Sequence, residues 1–152
     1  MSPIRILWID NDIPFLRPYV NALLKRGDQV NVLASLAEAE NLLMENTFDL
    51  VIIDVMVPTQ TEEEKRNYPS DRSDYGHKTG LIFYNRIRHN LGEKLPAVAV
   101  MTVRLDQDIK DEFVQNGLKP ENFLTKYSVR DITRFLKKID SIYAAHSTTH
   151  VQ

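Results

Sequence analysis

An open, all-parallel α/β sheet with helices on both faces is the architecture this sequence predicts, on three observations. Short apolar runs alternate five times with segments of helical period. One of these runs, Leu50-Val51-Ile52-Ile53, is apolar on both faces, as a central parallel strand covered by helices on each side must be. Several runs stop at a polar residue, and in doubly wound sheets ligands bind beyond the carboxyl ends of the strands. The residues to watch are therefore Asp10, Asn11 and Asp12, then Asp54, Thr102 and Lys126.

The elements follow in order. Ile4 to Ile9 is a β-rich run closed by Asp10-Asn11-Asp12. Phe15, Leu16, Tyr19, Val20, Leu23 and Leu24 then trace a helix that stops at Gly27. Pro14 suits its first turn, whereas Pro18 should end or bend it. Val30 to Ala34 reads as the second strand. Ser35 with Glu38 three residues on forms a capping box for the helix carrying Leu36, Ala39, Leu42 and Leu43. After the central strand and Asp54, a helix starts at Gly80 and carries Leu81, Phe83, Tyr84, Ile87 and Leu91. Pro96 to Thr102 is the fourth strand. Leu105, Ile109, Phe113 and Val114 mark a helix that ends near Asn116-Gly117, and Asn122 to Thr125 is a short fifth strand before Lys126. The last helix shows Ile132, Phe135, Leu136, Ile139, Ile142 and Tyr143, and a polar, frayed tail is expected from Ala145. The expected organisation is one domain over residues 1–145 with a tail at 146–152.

Residues 59–79 interrupt this pattern. They hold five acids, four bases and two tyrosines but no aliphatic residue. Connections longer than about 15 residues without structure are uncommon inside a compact domain and are usually functional or disordered. The expectation is a solvated, mobile loop. The alternative is a lid or docking segment anchored by Tyr68 and Tyr75, with Glu62-Glu63-Glu64 solvated rather than metal-binding.

Composition narrows the function. The 152 residues carry 19 Lys+Arg against 21 Asp+Glu, a formal charge of -2 that argues against bulk electrostatic binding to nucleic acid. With no cysteine, disulfides, thiolate zinc sites, iron–sulfur clusters and cysteine nucleophiles are excluded. His77, His89, His146 and His150 show no metal-ligand spacing. No apolar run approaches the roughly 18 residues of a membrane span. The opening residues do not read as a signal peptide, so cytoplasm is the expected location.

Four segments in order carry a resemblance. Ile6-Leu7-Trp8-Ile9-Asp10-Asn11-Asp12, Asp49-Leu50-Val51-Ile52-Ile53-Asp54-Val55-Met56-Val57-Pro58, Ala99-Val100-Met101-Thr102 and Phe123-Leu124-Thr125-Lys126 resemble the receiver domain of two-component response regulators. The likeness spans most of residues 4–143 outside the insertion. It implies a flavodoxin-like sheet of order 2-1-3-4-5, and phosphoryl transfer from a phosphohistidine to an aspartate with Mg²⁺ or Mn²⁺. On that pattern Asp54 is the phosphoacceptor, and Asp10, Asn11, Asp54 and the Met56 backbone carbonyl hold the metal, with Asp12 as a further candidate. Lys126 and Thr102 bind phosphoryl oxygens, and Thr102 and Phe123 form the switch. The resemblance implies a signalling domain rather than an enzyme, with a histidine kinase or phosphotransfer protein upstream and an output protein downstream. It implies no membrane and no direct nucleic-acid contact by this chain.

Three departures stand out. Asn11 replaces the acid that usually ligates the metal directly, one charge fewer, which Asp12 could supply from an inward turn. Val103 follows Thr102 where a small residue is usual and narrows access to the phosphoryl group. Tyr127 follows Lys126 in place of a proline that is usually cis, and a cis bond to a non-proline costs about 2.5–4 kcal/mol. Arg104 lies where the family tunes hydrolysis. These departures sustain one alternative, a receiver fold that acts as a phosphorylation-independent interaction module. A lesser alternative is a haloacid-dehalogenase-type phosphatase using Asp10 as nucleophile and Asp12 as acid/base. The mixed charges of Asp106, Asp108, Lys110 and Asp111 and of Arg130, Arg134, Lys137 and Lys138 read as solvated helix faces, with a homodimer across them as the alternative.

Overall fold

The computed structural model describes residues 3–74, 76–103, 105–126 and 131–150. Tyr75, Arg104, Tyr127 and Arg130, singled out above, lie outside them. Five parallel strands, β1 (Arg5–Ile9), β2 (Gln29–Leu33), β3 (Leu50–Ile53), β4 (Ala97–Thr102) and β5 (Phe123–Thr125), form one sheet in the order β2-β1-β3-β4-β5. This is the flavodoxin-like, doubly wound order. Among the described residues the helices are α1 (Ile13–Lys25), α2 (Leu36–Glu45), α3 (Glu62–Asn67), α4 (Ser70–Ser73), α5 (Thr79–Leu91), α6 (Gln107–Gln115) and α7 (Ile132–His150).

Helices cover both faces. On one, Leu7, Ile9, Val51, Ile53, Val98 and Val100 pack against Leu36, Leu43, Phe83, Ile87 and Phe113 of α2, α5 and α6. On the other, Ile6, Trp8, Leu50, Ile52, Ala99 and Met101 meet Leu16, Tyr19 and Leu23 of α1 and Phe135, Ile139 and Ile142 of α7. Alternate strand residues thus feed two separate cores, which is why β3 and β4 are buried along their whole length. No helix of the described residues is long and apolar enough to cross a membrane.

Several local expectations need correcting. Helix α1 does not end at Pro18 but continues to Lys25. That residue is exposed near the start of the helix, so the Pro14 carbonyl left without its partner can meet water. The last helix continues to His150 rather than giving way at Ala145.

The insertion is the larger correction: it is folded. Thr61 caps α3 by accepting the Glu64 N–H at 3.1 Å, three glutamates occupy the first turn, and Lys65 and Arg66 the last. Glu62 and Glu63 are exposed as expected, but Glu64 is buried. Its carboxylate accepts the Ala37 N–H at 2.9 Å, the Gln60 N–H at 2.6 Å and the Ser35 hydroxyl at 3.1 Å, which ties the insertion to the start of α2. Burial alone would raise the Glu64 carboxyl, but these donors and Thr61 outweigh it and hold it below the ordinary range. Tyr68 is a second anchor. It is buried under the Arg86 guanidinium and donates to Glu40 at 2.6 Å, while Arg86 holds the other Glu40 oxygen at 2.8 Å.

Candidate functional site

Polar residues at four strand ends meet beyond the sheet. Asp10, Asp54, Thr102 and Lys126 are all buried, an expensive arrangement unless the charges are matched. Sheet register fixes their heights: Ile9 is level with Ile53, Ile53 with Val100, and Thr102 with Thr125. Backbone bonds continue the ladders one step further, with Asp10 N–H to Leu33 at 3.0 Å, Asp54 N–H to Ile9 at 2.9 Å and Lys126 N–H to Thr102 at 2.7 Å.

The Lys126 ammonium lies between two carboxylates, 2.8 Å from Asp10 Oδ2 and 3.6 Å from Asp54 Oδ2. Two negative charges thus face one positive charge in a buried setting. The Asp54 carboxyl is pushed up to about 6 by its burial first and by Asp10 second, against the opposing pull of Lys126, the Thr102 hydroxyl and the Met56 N–H. Asp10 Oδ1 accepts the Asp12 N–H at 2.8 Å. The other oxygen, Oδ2, is fully buried beside the Lys126 ammonium at 2.8 Å.

A cavity of about 790 Å³ opens above these residues. Asn11, Asp12, Asp54, Met56, Thr102, Val103 and Lys126 line it, so it gathers nearly every candidate residue of the sequence. Val103 stands exposed at its mouth, where it was expected to narrow access. The insertion contributes Gly76 and His77, which no motif had pointed to. Asp12 does not turn fully inward, because its side chain caps α1 by accepting the Phe15 N–H at 3.4 Å. Phe123 is half-buried, edge-on to Phe113 at 5.8 Å and under the Lys110 ammonium at 5.4 Å.

The donor set fits a hard divalent cation: two carboxylates, a backbone carbonyl and an amide oxygen, all oxygen. The two buried carboxylates facing one ammonium, an excess of negative charge, are the observation that favours it. The fit is leaner than three acids would give, since among the described residues no three His, Cys, Asp or Glu side chains gather as a metal-binding group. Asn11 is the reason, as the residue beside Asp10 brings no charge.

Sequence reasoning missed Glu64, Thr79 and Gly80. Thr79 is fully buried and its hydroxyl bonds Val57. Gly80 packs so closely that a Cβ there would lie within 2.8 Å of the Val55 Cα. A capping signal at Thr61-x-x-Glu64 could have revealed α3; the Thr79 contact is tertiary and leaves no local mark.

No protein-family model matches the sequence, and no curated protein matches it. Solved structures match it by shape. A CheY-like response regulator receiver domain protein from Methanospirillum hungatei JF-1 superposes with a TM-score of 0.73 at 16% identity, covering 97% of this chain and 99% of that one. The chemotaxis response regulator CheY4 of Vibrio cholerae gives 0.68 at 20% identity, covering 93% and 99%. The beryllofluoride-activated NtrC4 receiver domain, a dimer in solution, gives 0.69 at 22%, covering 93% and 98%. The chain has the receiver-domain fold of response regulators.

Proposed function

We propose that this chain accepts a phosphoryl group on Asp54 from a phosphohistidine donor and thereby switches a protein-interaction face in a phosphorelay. The observation that carries the reading is the buried cluster in which Lys126 bridges Asp10 and Asp54 beneath an open cavity. A carboxylate of ordinary affinity for protons would be a weaker nucleophile. Asp54, raised to about 6, is still ionised at neutral pH and holds its charge less comfortably than a solvated acid.

In the transfer, an Asp54 oxygen forms a bond to phosphorus as the phosphorus–nitrogen bond breaks and the imidazole leaves with that electron pair. Lys126 moves its ion pairing from the carboxylates to a phosphoryl oxygen, and the Thr102 hydroxyl turns from Asp54 to another. Asp10, Asp54, the Met56 carbonyl and the Asn11 amide oxygen would hold Mg²⁺ or Mn²⁺, whose charge neutralises the transferring oxygens. Thr102 lies one strand from Phe123, level with Val100, and Phe123 touches α6 through Phe113. A shift of Thr102 toward new charge is thus passed to the face made by α6, β5 and α7. That face would meet the output protein, or a second copy of the chain.

Intact-mass spectrometry after incubation with acetyl phosphate and with a phosphorylated phosphotransfer protein tests the reading. A gain of one phosphoryl group that needs both Asp54 and the metal supports it. No gain from either donor, in a sample shown to be folded, overturns it. The second reading, an interaction module that needs no phosphorylation, is favoured by one observation, the missing third acid at Asn11. The phosphatase alternative leaves the buried Asp54, beside Lys126 and lining the same cavity, without a role.

A further inference from the structure

Residue 79 closes a circuit that the insertion leaves open. Twenty residues separate Pro58 from Thr79, yet the two ends of the excursion are held together by one side chain. The fully buried Thr79 hydroxyl accepts the Val57 N–H at 2.8 Å and donates its proton to the Val57 carbonyl at 2.7 Å. Next to it, the Gly80 N–H bonds the Val55 carbonyl at 2.8 Å. The backbone is therefore held on both sides of Met56, whose carbonyl is the ligand the donor set takes from this loop.

The direction of that carbonyl follows from the geometry of the peptide unit. Among the described residues there is no cis peptide bond, and in a planar trans unit the C=O and the N–H point in opposite directions. The Met56 carbonyl and the Val57 N–H belong to the same unit. With the N–H aimed inward at Thr79, the carbonyl aims the other way, and Met56 lines the cavity over Asp54. By holding the Val57 N–H and the Val57 carbonyl, the buried hydroxyl fixes the two successive peptide units that meet at the Val57 Cα.

We propose that Thr79 is a positioning residue for the divalent cation, fixing the Met56 carbonyl toward the cavity and making the site indifferent to the length of the insertion. This rests on the metal-assisted reading given above. The partners that orient metal ligands are typically worth about 10–100-fold in affinity. Thr79→Val keeps the shape and removes the hydroxyl, whereas Thr79→Ser keeps the hydroxyl and removes a methyl group.

The test titrates Mg²⁺ alone into the full chain and follows the Met56 carbonyl carbon and the Val57 amide nitrogen by NMR, with amide exchange at Val57 alongside. The wild type should show a Mg²⁺-dependent shift at the Met56 carbonyl and slow exchange at Val57. Thr79→Ser should match it, and Thr79→Val should lose the Val57 protection together with about tenfold in Mg²⁺ affinity. Thr79→Val that loses the protection but binds Mg²⁺ as the wild type does would overturn the inference while leaving the metal reading intact. So would a wild type that binds Mg²⁺ with no shift at the Met56 carbonyl, a measurement that does not depend on any variant folding. A wild type that binds no Mg²⁺ overturns the metal reading and this inference with it.

Discussion

Asp54→Asn should make the protein more stable at neutral pH, and the gain should vanish in acid. In the folded chain the Asp54 carboxyl sits at about 6 against an ordinary 3.8, through burial and then Asp10. At 1.36 kcal/mol for each tenfold change in proton affinity, keeping it ionised costs the fold about 3 kcal/mol above that range. The sign follows from proton counts. Between 3.8 and about 6 the native state binds more proton than the unfolded one, so stability falls as pH rises through this window. An amide has no charge to hold, can still meet the Thr102 hydroxyl, and leaves Asp10 and Lys126 as a matched pair at 2.8 Å. Urea denaturation of both proteins at about pH 7.5 and about pH 4, without divalent metal, reads the effect. With an m-value of about 2 kcal/mol/M, the neutral-pH midpoint of the variant should lie about 1.5 M higher. Mg²⁺ at about ten times its Kd should stabilise the wild type by about 1.4 kcal/mol and narrow the gap. A variant less stable than the wild type at neutral pH, or a gap that is the same at both pH values, would refute the electrostatic account of this site.

Three further outcomes are expected. Glu64→Gln should lower stability by about 2 kcal/mol in urea, because a buried carboxylate with three donors becomes an amide with one oxygen to offer them. As this carboxyl is held below its ordinary range, its contribution is present above that range and should be lost as pH falls through it. Gly80→Ala would place a Cβ within 2.8 Å of the Val55 Cα. It should cost about 1–3 kcal/mol and slow phosphorylation of Asp54 in the intact-mass assay, since the atoms it strikes carry the acceptor. Asn11→Asp restores a third negative charge at the cavity and should tighten Mg²⁺ binding about tenfold by isothermal titration, the gain shrinking with added salt.

The legible parts of this molecule are those written at local range. Leu50 to Ile53 announces a central strand because burial on both faces forbids polar alternation, and Asp54 then stands out as the first residue that breaks the run. Thr102 and Lys126 follow by the same logic at the ends of β4 and β5. The insertion was misread because hydrophobic content is a poor guide when a segment is fastened by polar groups. Glu64 looks solvated beside Glu62 and Glu63, and its burial depends on Ser35 and Ala37, more than twenty residues away. Tyr68 was singled out for its type, but its partners, Glu40 and Arg86, sit on two different helices and leave no spacing to find. Pro18 does not end α1, because it stands in the second turn at an exposed position and the residue whose carbonyl it leaves unpaired, Pro14, is exposed too.

These polar fastenings also decide what the insertion can do to the site. Its first helix, α3, is anchored through Glu64 to the start of α2 and through Tyr68 to Glu40 of α2, which Arg86 of α5 also holds, and the insertion's end at Lys78 pairs with Glu112 of α6 at 2.9 Å. The segment therefore touches the cavity through Gly76 and His77 and touches the proposed switch helix through the next residue. The Lys78–Glu112 pair is partly exposed and is worth under about 1 kcal/mol to the fold. Such a pair is too weak to lock α6. A wall held by buried bonds on one side and a breakable ion pair on the other can leave the acceptor loop fixed while α6 moves. That division of labour would let twenty extra residues stand beside Asp54 without disturbing the backbone from Val55 to Val57.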